Sequence, residues 1–152
     1  MPHKILNRLH CAAAVLIVAT SLAFGSVVSA KADVVGKWRL NSGKITVRLD
    51  FCGGKNICAT IVGMAKPLNK AGLPKTDKDN PNPALRSRPI IGLQVVSGMQ
   101  PDGDNRWKGS IYNADDGSTY SATAAMAGNQ LTIKACALAG LACKKLRFAR
   151  VE

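Results

Sequence analysis

The sequence predicts an all-β protein, an eight-stranded antiparallel up-and-down barrel, with a two-sheet sandwich as its structural rival. Three observations carry this expectation. Apolar and polar residues alternate in short runs, as in Ile45, Val47, Leu49 and Phe51 against Thr46, Arg48, Asp50 and Cys52. Turn-forming clusters separate the runs: Asn41-Ser42-Gly43, Gly53-Gly54-Lys55-Asn56, Pro101-Asp102-Gly103-Asp104-Asn105, Asp115-Asp116-Gly117-Ser118 and Gly128-Asn129. Beyond the N-terminal segment, no stretch sustains the 3.6-residue period of an amphipathic helix.

The N-terminal segment stands apart. Lys4 and Arg8 precede an apolar run from Cys11 to Phe24, and small residues follow, ending in Ala30-Lys31-Ala32. A basic start, an apolar centre and an A-x-A-like site read as a signal peptide over residues 1–32. Cleavage after Ala32 is preferred to cleavage after Ala30. An uncleaved anchor is the competing reading, opposed by the short run and its content of Ala, Ser and Thr. Cys11 opens the apolar run rather than ending it, so it is badly placed for lipidation. Residues 33–152 then form one domain, periplasmic or secreted.

Removal of that segment narrows the chemistry. Both histidines, His3 and His10, leave with it. The net charge falls from +12 to +9, because Lys4, Arg8 and Lys31 go and no acid goes with them. Without histidine there is no Ser-His or Cys-His pair and no histidine metal ligand. The only glutamate is the terminal Glu152, so acid–base work would fall on aspartates, tyrosines and lysines. The expectation is a non-catalytic protein with no cofactor and no metal.

The strands follow in order: Val34–Leu40, Ile45–Cys52, Cys58–Met64, Ile90–Gln100, Arg106–Asn113, Thr119–Ala127, Gln130–Leu138 and Cys143–Val151. Strands six and seven are rich in small residues, which leaves either a tight taper or an unfilled cavity. The four remaining cysteines, an even number in an exported chain, suggest two disulfides. Cys52 and Cys58 bracket one hairpin, and Cys136 and Cys143 bracket the last. Pairing within each hairpin brings partners together without further loop closure and stabilises by about 2–3 kcal/mol per bridge. A redox role is the alternative, but neither spacing is C-x-x-C.

Gly36-Lys37-Trp38 on the first strand resembles the first motif of lipocalins, where the Trp plugs the closed end of the barrel and an Arg from the last strand packs on it. Arg150 shares the inward parity of Leu146 and Phe148 and can fill that place. Most of the chain, about Val35 to Val151, resembles the bacterial exported family catalogued as domain of unknown function 2147. Its most specific stretches are Cys52 to Cys58, Asn80-Pro81-Asn82-Pro83-Ala84-Leu85-Arg86-Ser87-Arg88-Pro89, Pro101-Asp102-Gly103, and Ile111 to Ala122, which includes Tyr112. The resemblance implies an envelope protein with a lipocalin-like barrel and no established activity. The pair Cys136 and Cys143 departs from the family's usual pattern.

The segment after strand three is the least strand-like part of the domain. With Trp38 at the closed end, connections after odd strands lie at the open mouth, and this segment with them. Asn82 before Pro83 reads as an N-cap with Pro at the first helical position, and Arg88-Pro89 ends the turn. A connection of about 25 residues in a small domain is usually either functional or disordered, and the three prolines of residues 76–92 and the cap argue against disorder. Asp77 or Asp79 can pair with Arg86 or Arg88 and clamp the loop. Alternatively the arginines face an anionic head group, with Lys66, Lys70 and Lys75 adding field.

These features predict a protein that binds a small amphiphilic or anionic ligand at the barrel mouth, with Arg86, Arg88, Asp77, Asp79 and Tyr112 as candidate contacts. The alternative is a filled barrel that uses its basic surface for peripheral contact with an anionic envelope surface. Export and the scarcity of aromatic residues argue against nucleic acid. An enzyme would need exposed loop aspartates, Asp77 with Asp79 or Asp115 with Asp116, whose pKa values exposure keeps ordinary.

Overall fold

The computed structural model describes residues 33–151, so the signal peptide expected at residues 1–32 lies outside the described residues. Eight strands follow in order: β1 Gly36–Leu40, β2 Ile45–Phe51, β3 Ile57–Met64, β4 Gln94–Pro101, β5 Arg106–Asn113, β6 Ser118–Ala127, β7 Gln130–Ala137 and β8 Ala142–Arg150. Each pairs antiparallel with the next, and β8 returns to β1, closing the barrel. Closure decides between barrel and sandwich, and it leaves no free sheet edge.

The seam between β8 and β1 is stapled by side chains. Trp38 stands opposite Arg150 in register. Trp38 is fully buried and its Nε1 donates to the Val34 carbonyl at 2.9 Å. The Arg150 guanidinium lies 4.4 Å from the indole centroid. Its Nη1 donates to the Val35 carbonyl at 2.9 Å, and its Nη2 donates to the Asp33 carbonyl. A cation over an indole face, with its donors met by carbonyls, joins β8 to β1 and the segment just before it. Trp107, which the sequence reading did not single out, adds a second plug. It is 8% exposed and donates from Nε1 to the Lys55 carbonyl in the β2–β3 turn at 3.2 Å.

Inward residues fill the closed half. Leu49, Ile57, Met99, Leu131 and Phe148 are all buried, and Leu131 pairs across the ladder with both Met126 and Phe148. Above them the inward residues shrink to Ala59, Ala122 and Ala135, and the interior opens. The small residues therefore produce both outcomes that the sequence allowed: packing at one end and a cavity at the other.

Two expectations require correction. Strand four begins at Gln94, not Ile90. Ile90 and Leu93 are buried, but their backbone forms a turn, with the Leu93 amide bonding to the Ile90 carbonyl and Gly92 at φ 95°. Phe51 shares the parity of Leu49 yet is 47% exposed, because β2 ends there and the barrel wall no longer encloses it. Both disulfides, Cys52–Cys58 and Cys136–Cys143, form within their hairpins.

Candidate functional site

The interior cavity is about 1450 Å³, above the ~300–1000 Å³ usual for ligand pockets. Its walls are apolar: Val47, Ile61, Val96, Ile111, Ile133 and Phe148. Its mouth is bordered by the connections that follow β1, β3 and β5, contributing Asn41, Asn69 and Asp115 among others, and by the facing strand ends Ala137 of β7 and Ala142 of β8. Lys44, Lys66, Lys75 and Lys144 stand at that mouth. Among the described residues none of the four forms an ion pair with a carboxylate. The lining also holds Asp79, Asp115 and Asp116, so the mouth carries both signs of charge with cations in excess. An apolar well beneath that excess matches an amphiphile with a negatively charged head.

The segment 65–93 is tied into a compact structure. Residues 67–75 form a small hairpin bridged at Leu68 and Pro74, its turn held by the Asn69 side chain, which accepts from the amides of Ala71 and Leu73. Residues 75–77 then pair with 88–90: the Asp77 amide bonds to the Arg88 carbonyl and the Ile90 amide to the Lys75 carbonyl. Between them a single 3-10 turn, Pro83–Leu85, is capped by Asn82, whose side chain accepts from the Ala84 amide at 3.0 Å. Pro81 and Pro83 stiffen the approach to that turn.

At the centre of this loop lies a buried polar cluster. Asp77, expected from the sequence to be an exposed loop aspartate with an ordinary pKa, instead has no solvent exposure. Its Oδ1 accepts from the Tyr112 hydroxyl at 2.7 Å, and its Oδ2 from Asn80 Nδ2 at 2.7 Å and Arg88 Nε at 2.9 Å, with Arg88 Nη2 at 2.8 Å. Asn80 Nδ2 also donates to the Tyr112 oxygen, and Asn80 Oδ1 accepts from the Asn82 amide. Arg88 sits over the Tyr112 ring at 5.8 Å. Arg86 donates from Nε to the Asn80 carbonyl at 2.7 Å. Burial pushes the Asp77 carboxyl up, but the donors Tyr112, Asn80 and Arg88, with the Arg88 charge, outweigh it and hold the group below its ordinary value. Burial and the adjacent Asp77 raise the Tyr112 phenol.

The cluster locks the loop to β5 through Tyr112. A second lock is steric: Gly117, at φ 67° in the β5–β6 turn, lies so close to the loop that an added Cβ would fall 1.9 Å from the Asp79 carbonyl oxygen. That turn has its own network. Asp116 accepts from Tyr120, Ser118 and Asn113, and the Tyr120 bond foremost lowers its pKa and raises that of Tyr120.

Of the residues the sequence offered as ligand contacts, Asp79 and Tyr112 border the cavity, and Asp79 is paired with Lys78. Asp77, Arg86 and Arg88 are outside the lining and are partnered within the loop. The apolar walls and Lys44 and Lys144 were not singled out. Strand parity alone would have placed Lys144 with inward Leu146 and Phe148. Among the described residues, no group of three His, Cys, Asp or Glu side chains could hold a metal ion.

The chain is similar in structure to protein HP1028 from the human pathogen Helicobacter pylori, described as belonging to the lipocalin family. The TM-score is 0.68 at 25% identity, over 80% of this chain and 84% of that one. No curated protein matches the chain. Residues 36–150, nearly the whole described barrel, match the model of the uncharacterised bacterial family DUF2147, and the chain belongs to that family.

Proposed function

We propose that this protein is a non-catalytic carrier, working outside the cytoplasm, that holds the apolar tail of a small anionic amphiphile in its barrel. The observation that carries the reading is the apolar cavity of about 1450 Å³ opening beneath Lys44, Lys66, Lys75 and Lys144. The lipocalin-like fold supports it, since barrel mouths are recurrent ligand sites. The head group falls to the lysines rather than to Arg86 and Arg88, because the latter are already bonded to Asn80 and Asp77. The buried carboxylate Asp77 lies outside the cavity lining with both oxygens occupied by donors, so it serves as the anchor of the loop. The two disulfides agree with an oxidising compartment.

Titration with an environment-sensitive fluorescent fatty acid tests the proposal. Saturable uptake is expected, and Ala135→Phe, which projects a ring from the cavity wall, should weaken it about tenfold or more without loss of the far-ultraviolet β signal. Absence of saturable uptake by the wild type, or equal uptake by the filled variant, would remove the carrier reading.

A further inference from the structure

The mouth carries exposed leucines as well as lysines. On the β7–β8 hairpin, Leu138 is 74% exposed and Leu141 is 88% exposed. On the 67–75 hairpin, Leu68 and Leu73 are 51% and 61% exposed. Both hairpins border the opening of the same cavity, through Asn69 and Lys75 on one side and Ala142 and Lys144 on the other. Each is braced: the first by the Asn69 side chain and the second by the Cys136–Cys143 disulfide. Leu138 adopts φ 49°, a left-handed conformation that disfavours a bulky side chain. The fold thus holds a leucine outward at a backbone cost and gains no core contact from it.

We infer that these two hairpin tips form a docking surface for an anionic lipid bilayer, which would set the cavity mouth against the membrane. Protruding leucines enter the boundary between head groups and acyl chains, while Lys44, Lys66, Lys70, Lys75 and Lys144 meet anionic head groups. Charge complementarity favours a bilayer over a second copy of this chain, whose mouth would bring the same cations together. The inference rests on the carrier reading for its purpose, since a mouth that meets a bilayer is where an amphiphile could enter or leave. The geometry of the tips stands without it.

The test is flotation of the protein, in the oxidised form to which the cell processes it, with vesicles of phosphatidylcholine containing about one-third phosphatidylglycerol. The wild type should float with these vesicles, bind pure phosphatidylcholine far less, and be released as salt rises from about 0.1 M to about 0.5 M. Leu138→Gly combined with Leu141→Ser should reduce vesicle binding about tenfold. Its melting temperature should hold or rise, because glycine accepts the φ that leucine resists, and fatty-acid probe uptake without vesicles should be unchanged. Wild-type binding that is absent, or equal on neutral vesicles, would overturn the docking surface. So would a tip variant that floats as well as the wild type. If vesicle docking responds to the tips while the probe never enters the barrel, the carrier reading fails and the docking surface survives.

Discussion

A carboxylate with no solvent exposure persists in a fold only when donors meet its charge, and Asp77 has four, from Tyr112, Asn80 and both Nε and Nη2 of Arg88. Asp77→Asn keeps the shape but leaves Arg88 without its counter-charge, and because Arg88 is 37% exposed it should cost about 1–3 kcal/mol. The pH dependence has a definite sign. The folded pKa lies below the unfolded value of about 3.9, so the stabilisation is fully present above that value and is lost as pH falls through the folded pKa. Urea titrations should therefore show the gap between wild type and Asp77→Asn narrowing as pH falls below about 4. A gap independent of pH would mean that the charge of Asp77 contributes nothing.

At the scale of elements, the loop and the β5–β6 turn act as one unit because Gly117 lets their backbones touch. Gly117→Ala places a methyl group where the Asp79 carbonyl stands and adds left-handed strain of about 1–3 kcal/mol. Hydrogen exchange should quicken selectively over residues 76–90, while the amides of β6 and β7 keep their protection. Uniform acceleration would show instead that the loop and barrel unfold together. The same segment shows how local chemistry reaches the site. Asn82, Pro83 and the pairing of 75–77 with 88–90 are short-range features, yet together they set Lys75 at the cavity mouth.

At the scale of the molecule, the barrel divides into a filled end and an open one. Trp38, Trp107, Leu49, Met99 and Phe148 close the lower half, while Ala59, Ala135 and Ala137 line the cavity above. The seam between β1 and β8 has three register pairs against eight between β7 and β8, and Arg150 adds side-chain bonds across it. Arg150→Ala removes the contact with Trp38 and leaves the Val35 and Asp33 carbonyls without their side-chain donor. A loss of about 1–3 kcal/mol in the unfolding free energy is expected, with faster exchange along Gly36–Leu40 than along β6. An unchanged urea midpoint would show that the backbone ladder alone closes the barrel.

Much of this was legible in the chain. Two-residue alternation and glycine-rich turns determined eight antiparallel strands, because strand parity and turn geometry are local properties. Hairpin spacing favoured both disulfides, and the resemblance of Gly36-Lys37-Trp38 to the lipocalin motif, with Arg150 in inward register, placed Arg150 on Trp38. The sequence reading favoured a clamp of Asp77 or Asp79 on Arg86 or Arg88, and the tertiary structure selected Asp77 with Arg88 and turned Arg86 to the Asn80 carbonyl. Arg86 and Arg88 have the charge for a head group, and what occupies them depends on Asp77, Asn80 and Tyr112 meeting from positions up to 35 residues apart. The same holds for the cavity. Small residues on β3, β6 and β7 permit either a taper or a void, and the outcome depends on how far the opposite wall stands across the closed barrel. Pairing is set by neighbours along the chain, whereas enclosed volume is set by all eight strands at once.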